Sequence, residues 1–285
     1  MAFSHDGAVL MRFAPGGPIS LKTTALAGLV LICGYAAVQW MGFFNDGLGE
    51  AAAPPPPRLG VVDPLNRAIL IEGGTFISGS DDWDTIVAPG SPYSKRDEYP
   101  RPRTVRSFWM QEHEVTNEEY RRFDAGHAFS SGEERHPVVN VTWREAMAYA
   151  VSVGGSLPTE AQWEFAARGS ERRKYPWGDS EPTCERVHYG SCDPRGPIEV
   201  MARWEGATPE GIYDLAGNVA EWVTPIWFDP GRTPVNDDSR RLRGGSFLSP
   251  PFALRAADRV RYLRSGFESE DVGFRVVWPL EGARD

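Results

Sequence analysis

Residues 242–259, LRGGSFLSPPFALRAADR, gather the groups of a reactive pocket without its reactive atoms. Gly244 and Gly245 lead into Ser246; Ser249, Arg255, Asp258 and Arg259 follow, with no cysteine and no histidine. Hydroxyls, guanidinium groups and one carboxylate offer three kinds of chemistry: attack by an activated serine, binding of an anion, or proton transfer. Ser246 follows Gly-Gly and is not part of a G-x-S-x-G elbow, the strained turn that exposes a nucleophilic serine. Arg255, Arg259, Arg261 and Arg264 suit an anionic ligand, but the chain carries 39 Asp and Glu against 30 Lys and Arg, so internal pairing is the stronger expectation. Proton transfer needs a carboxyl whose pKa lies near the working pH, and nothing in the pattern demands one. The five histidines, His5, His113, His127, His136 and His188, show no i, i+4 pair, the spacing that places two metal ligands on one helix face. His5 precedes the long apolar run at 23–44, and the other four are expected to be surface or core residues.

Cys184 and Cys192 bracket ERVHYGS. In an oxidising compartment a disulfide is the default, with two free thiols or a soft-metal site as the other readings. The compartment follows from residues 23–44, TTALAGLVLICGYAAVQWMGFF, which carry no charge and have the length of a bilayer span. Arg12 and Lys22 precede the span, while Asp46 and Glu50 follow it, so the N-terminus is expected in the cytoplasm and the bulk of the chain outside. A cleaved signal peptide is the alternative, although the apolar run is long for one. The expected organisation is a cytoplasmic tail at 1–22, a transmembrane helix at 23–44, a proline-rich linker at 45–67 and an outward-facing domain at 68–285. The net charge of −9 excludes a nucleic-acid partner, which needs a cationic surface.

The elements that must position the candidate groups are short. ILIEGGTFISGS and RTVRSFWMQEHEVT read as strands. Three helix starts follow, each with a capping box: Thr116 with Glu119, Thr142 with Glu145, and Thr159 with Gln162. Ala146, Tyr149, Ala150 and Val153 form an apolar stripe on the second helix, and Trp163, Ala166 and Ala167 on the third. Beyond residue 170 the periodicity fades into loops rich in Gly, Pro and Trp, and strand-like pieces return at NVAEWV, RRLRGGSF and VGFRVVW. The expected class is α+β with a large irregular share.

IEGGTFISGS, EVTNEEYRRF, HPVVNVTWREAMAYA, SLPTEAQWEFAARG, YPWGD, IYDLAGNVAEWV, LRGGSF and DVGFRVV occur in one order. That order resembles the formylglycine-generating-enzyme, or sulfatase-modifying-factor, domain family over roughly residues 68 to 278. The resemblance implies one domain with a variant of the C-type-lectin-like fold. The family's oxidases hold Cu(I) on two cysteines after Gly-Gly-Ser; those positions fall at Ser249 and near Leu254, so copper is not expected. An aromatic neighbour is replaced by Ala220 and an asparagine by Asp271. Ser246, Ser249, Arg255 and Asp271 then form a residual pocket. The resemblance also implies a structural Ca²⁺ loop at Asp214, Gly217, Val219 and Glu221, with backbone carbonyls from Gly217 and Val219; pairing of Asp214 and Glu221 with arginines is the alternative. A second family calcium site, near ERVHYGSCD, looks degraded, with His188 at its usual asparagine.

The expected function is a non-catalytic, membrane-anchored periplasmic subunit. It would stabilise or assemble a larger complex of integral membrane proteins in a bacterial inner membrane, with residues 23–44 in the lipid bilayer. Small residues in the span, such as Gly28 and Ala36, permit close helix contact. The alternative is a periplasmic maturation enzyme from a cysteine-free branch of the family, acting on a peptide-derived substrate.

Overall fold

The computed structural model describes residues 62–63, 67–81, 99–224, 238–259 and 261–280. The tail at 1–22, the span at 23–44 and most of the linker at 45–67 lie outside the described residues. Among the described residues no helix is long and apolar enough to cross a membrane.

The three helices start where their capping boxes are written: α1 (Asn117–Phe123), α2 (Trp143–Ser152) and α3 (Glu160–Arg168). In each, the threonine hydroxyl accepts the third N–H while the third side chain returns to the threonine N–H, at 2.9, 2.8 and 2.9 Å. Two otherwise unsatisfied donors per helix are thereby met. Ala146, Tyr149 and Ala150 are buried as expected, whereas Val153, just beyond the end of α2, is 39% exposed.

The strands differ from the expectation in one respect. ILIEGGTFISGS is two strands, β2 (Ala68–Ile71) after the short β1 (Val62–Asp63), and then β3 (Gly74–Ser78). RTVRSFWMQEHEVT likewise divides into β4 (Arg101–Val105) and β5 (Phe108–Gln111). The two breaks lie against each other. A side chain at Gly73 would sit 2.4–2.5 Å from the backbone of Val105, Arg106 and Ser107, and the Gly73 N–H donates to Ser107 Oγ at 2.9 Å. Glycine at this crossing lets each chain leave one sheet and enter another. β3 and β4 form their own antiparallel ribbon, while β2 and β5 join β1 and β10 (Val277–Pro279) in a four-stranded sheet ordered β1-β2-β5-β10.

The third sheet holds β6 (Ala220–Trp222), β7 (Ser239–Arg243), β8 (Tyr262–Arg264) and β9 (Val272–Gly273), ordered β8-β7-β6-β9. Only β6 and β9 run parallel among its pairs. One core packs α3 through Trp163 and Phe165 on Ile69, Phe76, Phe108 and Met110. A second packs Tyr120 of α1 and Tyr149 of α2 on Trp222, Leu242 and Phe274. A smaller one, of Tyr175, Val187, Tyr189, Cys192 and Leu254, lies beside the Gly-Gly-Ser turn. The fold is α+β with few helices, as expected.

Candidate functional site

The Gly-Gly-Ser turn follows directly on β7. Gly244 and Gly245 both have positive φ, 86° and 69°, a conformation that side chains other than glycine's rarely adopt. A Cβ on Gly245 would meet Leu254 Cδ2 at 3.0 Å and Ser249 Cβ at 3.2 Å, so these two side chains converge on one point. Leu254 is fully buried there.

Both serine hydroxyls are committed. The Ser246 N–H donates to Ser249 Oγ at 2.9 Å, and Ser246 Oγ donates to Asp271 Oδ2 at 2.7 Å. Arg261 clamps the same carboxylate with both Nη atoms, at 2.5 and 2.8 Å, and Ser269 Oγ donates to it at 2.5 Å. Burial alone would raise the Asp271 carboxyl. The hydrogen bonds from Arg261, Ser269 and Ser246, with the Arg261 charge, carry it below the ordinary carboxylate range instead. A carboxylate held down in this way is a weak proton acceptor. The structure thus brings Ser246, Ser249 and Asp271 together. Arg255 is elsewhere: its Nε donates to Phe252 O at 3.1 Å, Nη2 lies 3.8 Å from Asp258, and it lines a separate cavity with Arg168 and Lys174.

The expected calcium loop holds more charge than its four residues suggested. Glu221 on β6 is locked: Arg275 reaches Oε1 at 2.7 Å and Oε2 at 2.9 Å, and Trp163 Nε1 donates to Oε2 at 2.8 Å. Asp214, at φ 57°, accepts the Met201 N–H at 2.7 Å. The Gly217 N–H donates to Gly244 O at 3.0 Å, which ties this loop to the Gly-Gly-Ser turn. Glu114 also belongs here, accepting from Asn218 Nδ2 at 2.8 Å and the Val219 N–H at 3.1 Å. Burial, together with the Asp214 and Glu221 charges, raises the Glu114 carboxyl well above its ordinary value. Asp214 is pushed up to about 6, chiefly by burial and further by Glu221, against the Met201 hydrogen bond and the Arg275 charge. Three carboxylates therefore share one guanidinium.

A second buried network was not foreseen. Glu164, on α3, accepts from Ser78 Oγ at 3.1 Å, the Gly79 N–H at 2.7 Å, Arg168 Nη1 at 3.1 Å, Arg243 Nη2 at 3.2 Å and Arg259 Nη2. The Glu164–Arg168 pair stands at i, i+4, the one part of this hub visible as a spacing.

Cys184 and Cys192 form a disulfide, with Cα atoms 5.5 Å apart. His188 between them is buried, its Nε2 against Gly196 O at 2.8 Å. His113 is also buried, with Nδ1 2.7 Å from Glu114 O.

A sequence model described as the sulfatase-modifying factor enzyme 1-like domain matches residues 60–280. A serine/threonine-protein kinase pkn1 of Chlamydia pneumoniae is 31% identical over 253 residues, covering 75% of this chain and 38% of that protein. A formylglycine-generating enzyme of Thermomonospora curvata is 36% identical over 137 residues, covering 40% of this chain and 45% of that protein. The chain thus spans under half the length of either relative. The solved structure of PvdO from Pseudomonas aeruginosa superposes with a TM-score of 0.61 at 20% identity, covering 75% of this chain and 94% of the other, a likeness of fold.

Proposed function

Because the chain belongs to the family of sulfatase-modifying factor enzyme 1-like domains, we propose that it is a member without the oxidase chemistry. It acts as a membrane-anchored, outward-facing subunit that stabilises or assembles a larger inner-membrane complex through this domain. One observation carries the reading. By the family resemblance the copper-thiolate positions fall at Ser249 and near Leu254, and these two side chains meet at Gly245, where they offer a hydroxyl and a hydrocarbon. Neither is a donor for Cu(I), which selects soft sulfur ligands, so these residues do not fit the ion. The space beside them is tied up by Ser246, Asp271 and Arg261, and Asp271 is held too acidic for a base near neutral pH. That also weighs against the maturation-enzyme reading. The disulfide supports an oxidising compartment outside the cytoplasm.

The same reading includes a structural Ca²⁺ at the loop of Asp214, Gly217, Val219 and Glu221. Support comes from the excess of buried carboxylate over guanidinium, since hard oxygen donors and unbalanced negative charge suit this ion. The donor set fits in part: both Glu221 oxygens already accept from Arg275 and Trp163.

Gentle detergent extraction of the native membrane, followed by native electrophoresis, tests the subunit role. The protein should comigrate with a larger assembly, and Ser246→Ala and Asp271→Asn should leave that assembly and the associated phenotype intact. A protein that runs alone, with a phenotype abolished by either substitution although the domain stays folded, would favour the enzyme.

A further inference from the structure

We propose that the cavity at the C-terminal end of α3 binds a small tetrahedral oxyanion, a phosphate or sulfate group, at a site separate from the Gly-Gly-Ser turn. The cavity has a volume of about 180 Å³ and is lined by Ser80, Arg168, Arg172, Lys174, Asp179 and Arg255. Four cations and one acid meet there in a chain whose net charge is −9. A concave site of one sign with low-dielectric walls concentrates counter-ions. Arg168 and Arg255 are only 4% and 2% exposed, so both guanidinium groups are fixed in the wall, Arg168 against Glu164 and Arg255 3.8 Å from Asp258.

The wall is built to hold its shape. Arg168 donates to Glu164 and to Arg173 O at 3.2 Å and Arg172 O at 3.4 Å, pinning the turn that follows α3. Arg172 has φ 65°, a left-handed conformation costly for arginine, and the turn presents it at the cavity. The one acid in the lining is partly spent, because Asp179 Oδ1 accepts the Lys174 N–H at 2.9 Å.

The acids that pair with the two outer cations lie at the surface. Asp81 stands 3.8 Å from Arg172 and is 77% exposed; Glu181 stands 2.6 Å from Lys174 and is 69% exposed. An exposed pair as long as Arg172–Asp81 contributes little, so Arg172 can turn to an incoming anion, whereas Lys174, 29% exposed and hydrogen-bonded to Glu181, offers an anion its remaining donors. Guanidinium and ammonium groups lining one cavity suit the oxygens of phosphate or sulfate. Ligand pockets for drug-sized molecules run from roughly 300 to 1,000 Å³, so this smaller cavity takes the anionic group and little else. That group can be free or the terminal phosphate of a lipid headgroup.

Titration calorimetry of the full chain with inorganic phosphate, inorganic sulfate and acetate at low ionic strength tests the site. A parallel arm uses vesicles containing phosphatidic acid. Saturable binding of phosphate or sulfate, with acetate far weaker, is expected. Arg172→Ala/Lys174→Ala should weaken it by at least about tenfold, the equivalent of 1.4 kcal/mol, while Arg144→Ala, another exposed arginine, leaves it unchanged. Binding to phosphatidic-acid vesicles in excess of that to phosphatidylcholine vesicles, lost in the same double variant, identifies the headgroup as a source. No saturable binding, equal binding of acetate, or unchanged affinity in the double variant would overturn the proposal. A matching melting curve for the double variant shows that a lost signal is not lost folding.

Discussion

A Glu164→Gln variant is expected to lose about 3–5 kcal/mol of unfolding free energy, the usual cost of removing one partner from a buried ion pair. The substitution leaves Arg168, Arg243 and Arg259 facing one another inside the protein without their shared anion. Burial and hydrogen bonding set that order of magnitude. The carboxylate is completely buried and accepts five hydrogen bonds from β3 and the Gly79 turn, α3, β7 and the Arg259 loop. Burial pushes its pKa up, yet the charges of Arg259, Arg243 and Arg168 and the Gly79 N–H bring it down to about 2. Against an ordinary glutamate near 4.5, that depression corresponds to about 3 kcal/mol at 1.36 kcal/mol per pKa unit. Because the folded value is the lower one, this stability is fully present above pH 4.5 and is lost as pH falls through about 2. Urea unfolding at pH 7 and at steps below pH 4.5 checks both parts. A loss under about 1 kcal/mol, as for an exposed pair, would show that the hub is hydrated.

The second large effect is expected at Arg275. Arg275→Met should also cost about 3–5 kcal/mol, because it removes the guanidinium facing Glu221, Glu114 and Asp214 and leaves Gln111 O and Tyr213 O without their donor. Its pH signature is opposite to that of Glu164. Asp214 already lies near 6 when folded, against 3.8 as its ordinary value, so its penalty is present above pH 6 and is relieved as pH falls from 6 toward 3.8. Without the arginine Asp214 and Glu114 rise further, and the deficit of the variant should shrink between pH 7 and pH 5. A deficit that is independent of pH would mean that the carboxylates do not feel Arg275. Calcium enters the same measurement. If the loop takes the ion, millimolar calcium recovers part of the loss in Arg275→Met and little in Arg275→Met/Asp214→Asn. An equal response of the two variants removes the calcium proposal.

Local features of the chain were legible because their causes are local. A threonine with Glu or Gln three residues later states where a helix begins, and all three starts are where these pairs put them. The Cys184–Cys192 bridge was expected from two cysteines in a loop-like stretch of a domain read as exported. Strand breaks were not legible: the apolar alternation of ILIEGGTFISGS runs straight through Gly73, and only the close approach of residues 105–107 shows why the chain turns there. Charge pairing was legible as a class and not as a map. The sequence shows arginines and acids in plenty, but the link from Arg243 and Arg259 to Glu164 spans 79 and 95 residues. Glu114 was missed for the same reason, since it reaches Asn218 and Val219 from 104 and 105 residues away. Arg255 was placed with Ser246 by proximity in sequence, whereas the 3-10 turn Pro251–Leu254 carries it to another cavity.

The proposal that the Gly-Gly-Ser turn carries no copper chemistry is open to direct measurement. The purified full chain would be equilibrated with Cu(I) in the presence of a competing chelator, then supplied with oxygen and a cysteine-containing peptide, and the peptide followed by mass spectrometry. With a hydroxyl at Ser249 and a buried hydrocarbon at Leu254, the chain should leave the copper with the chelator and the cysteine unchanged. Copper held tightly by the protein, together with turnover of the peptide thiol that disappears in Ser246→Ala, would contradict the account.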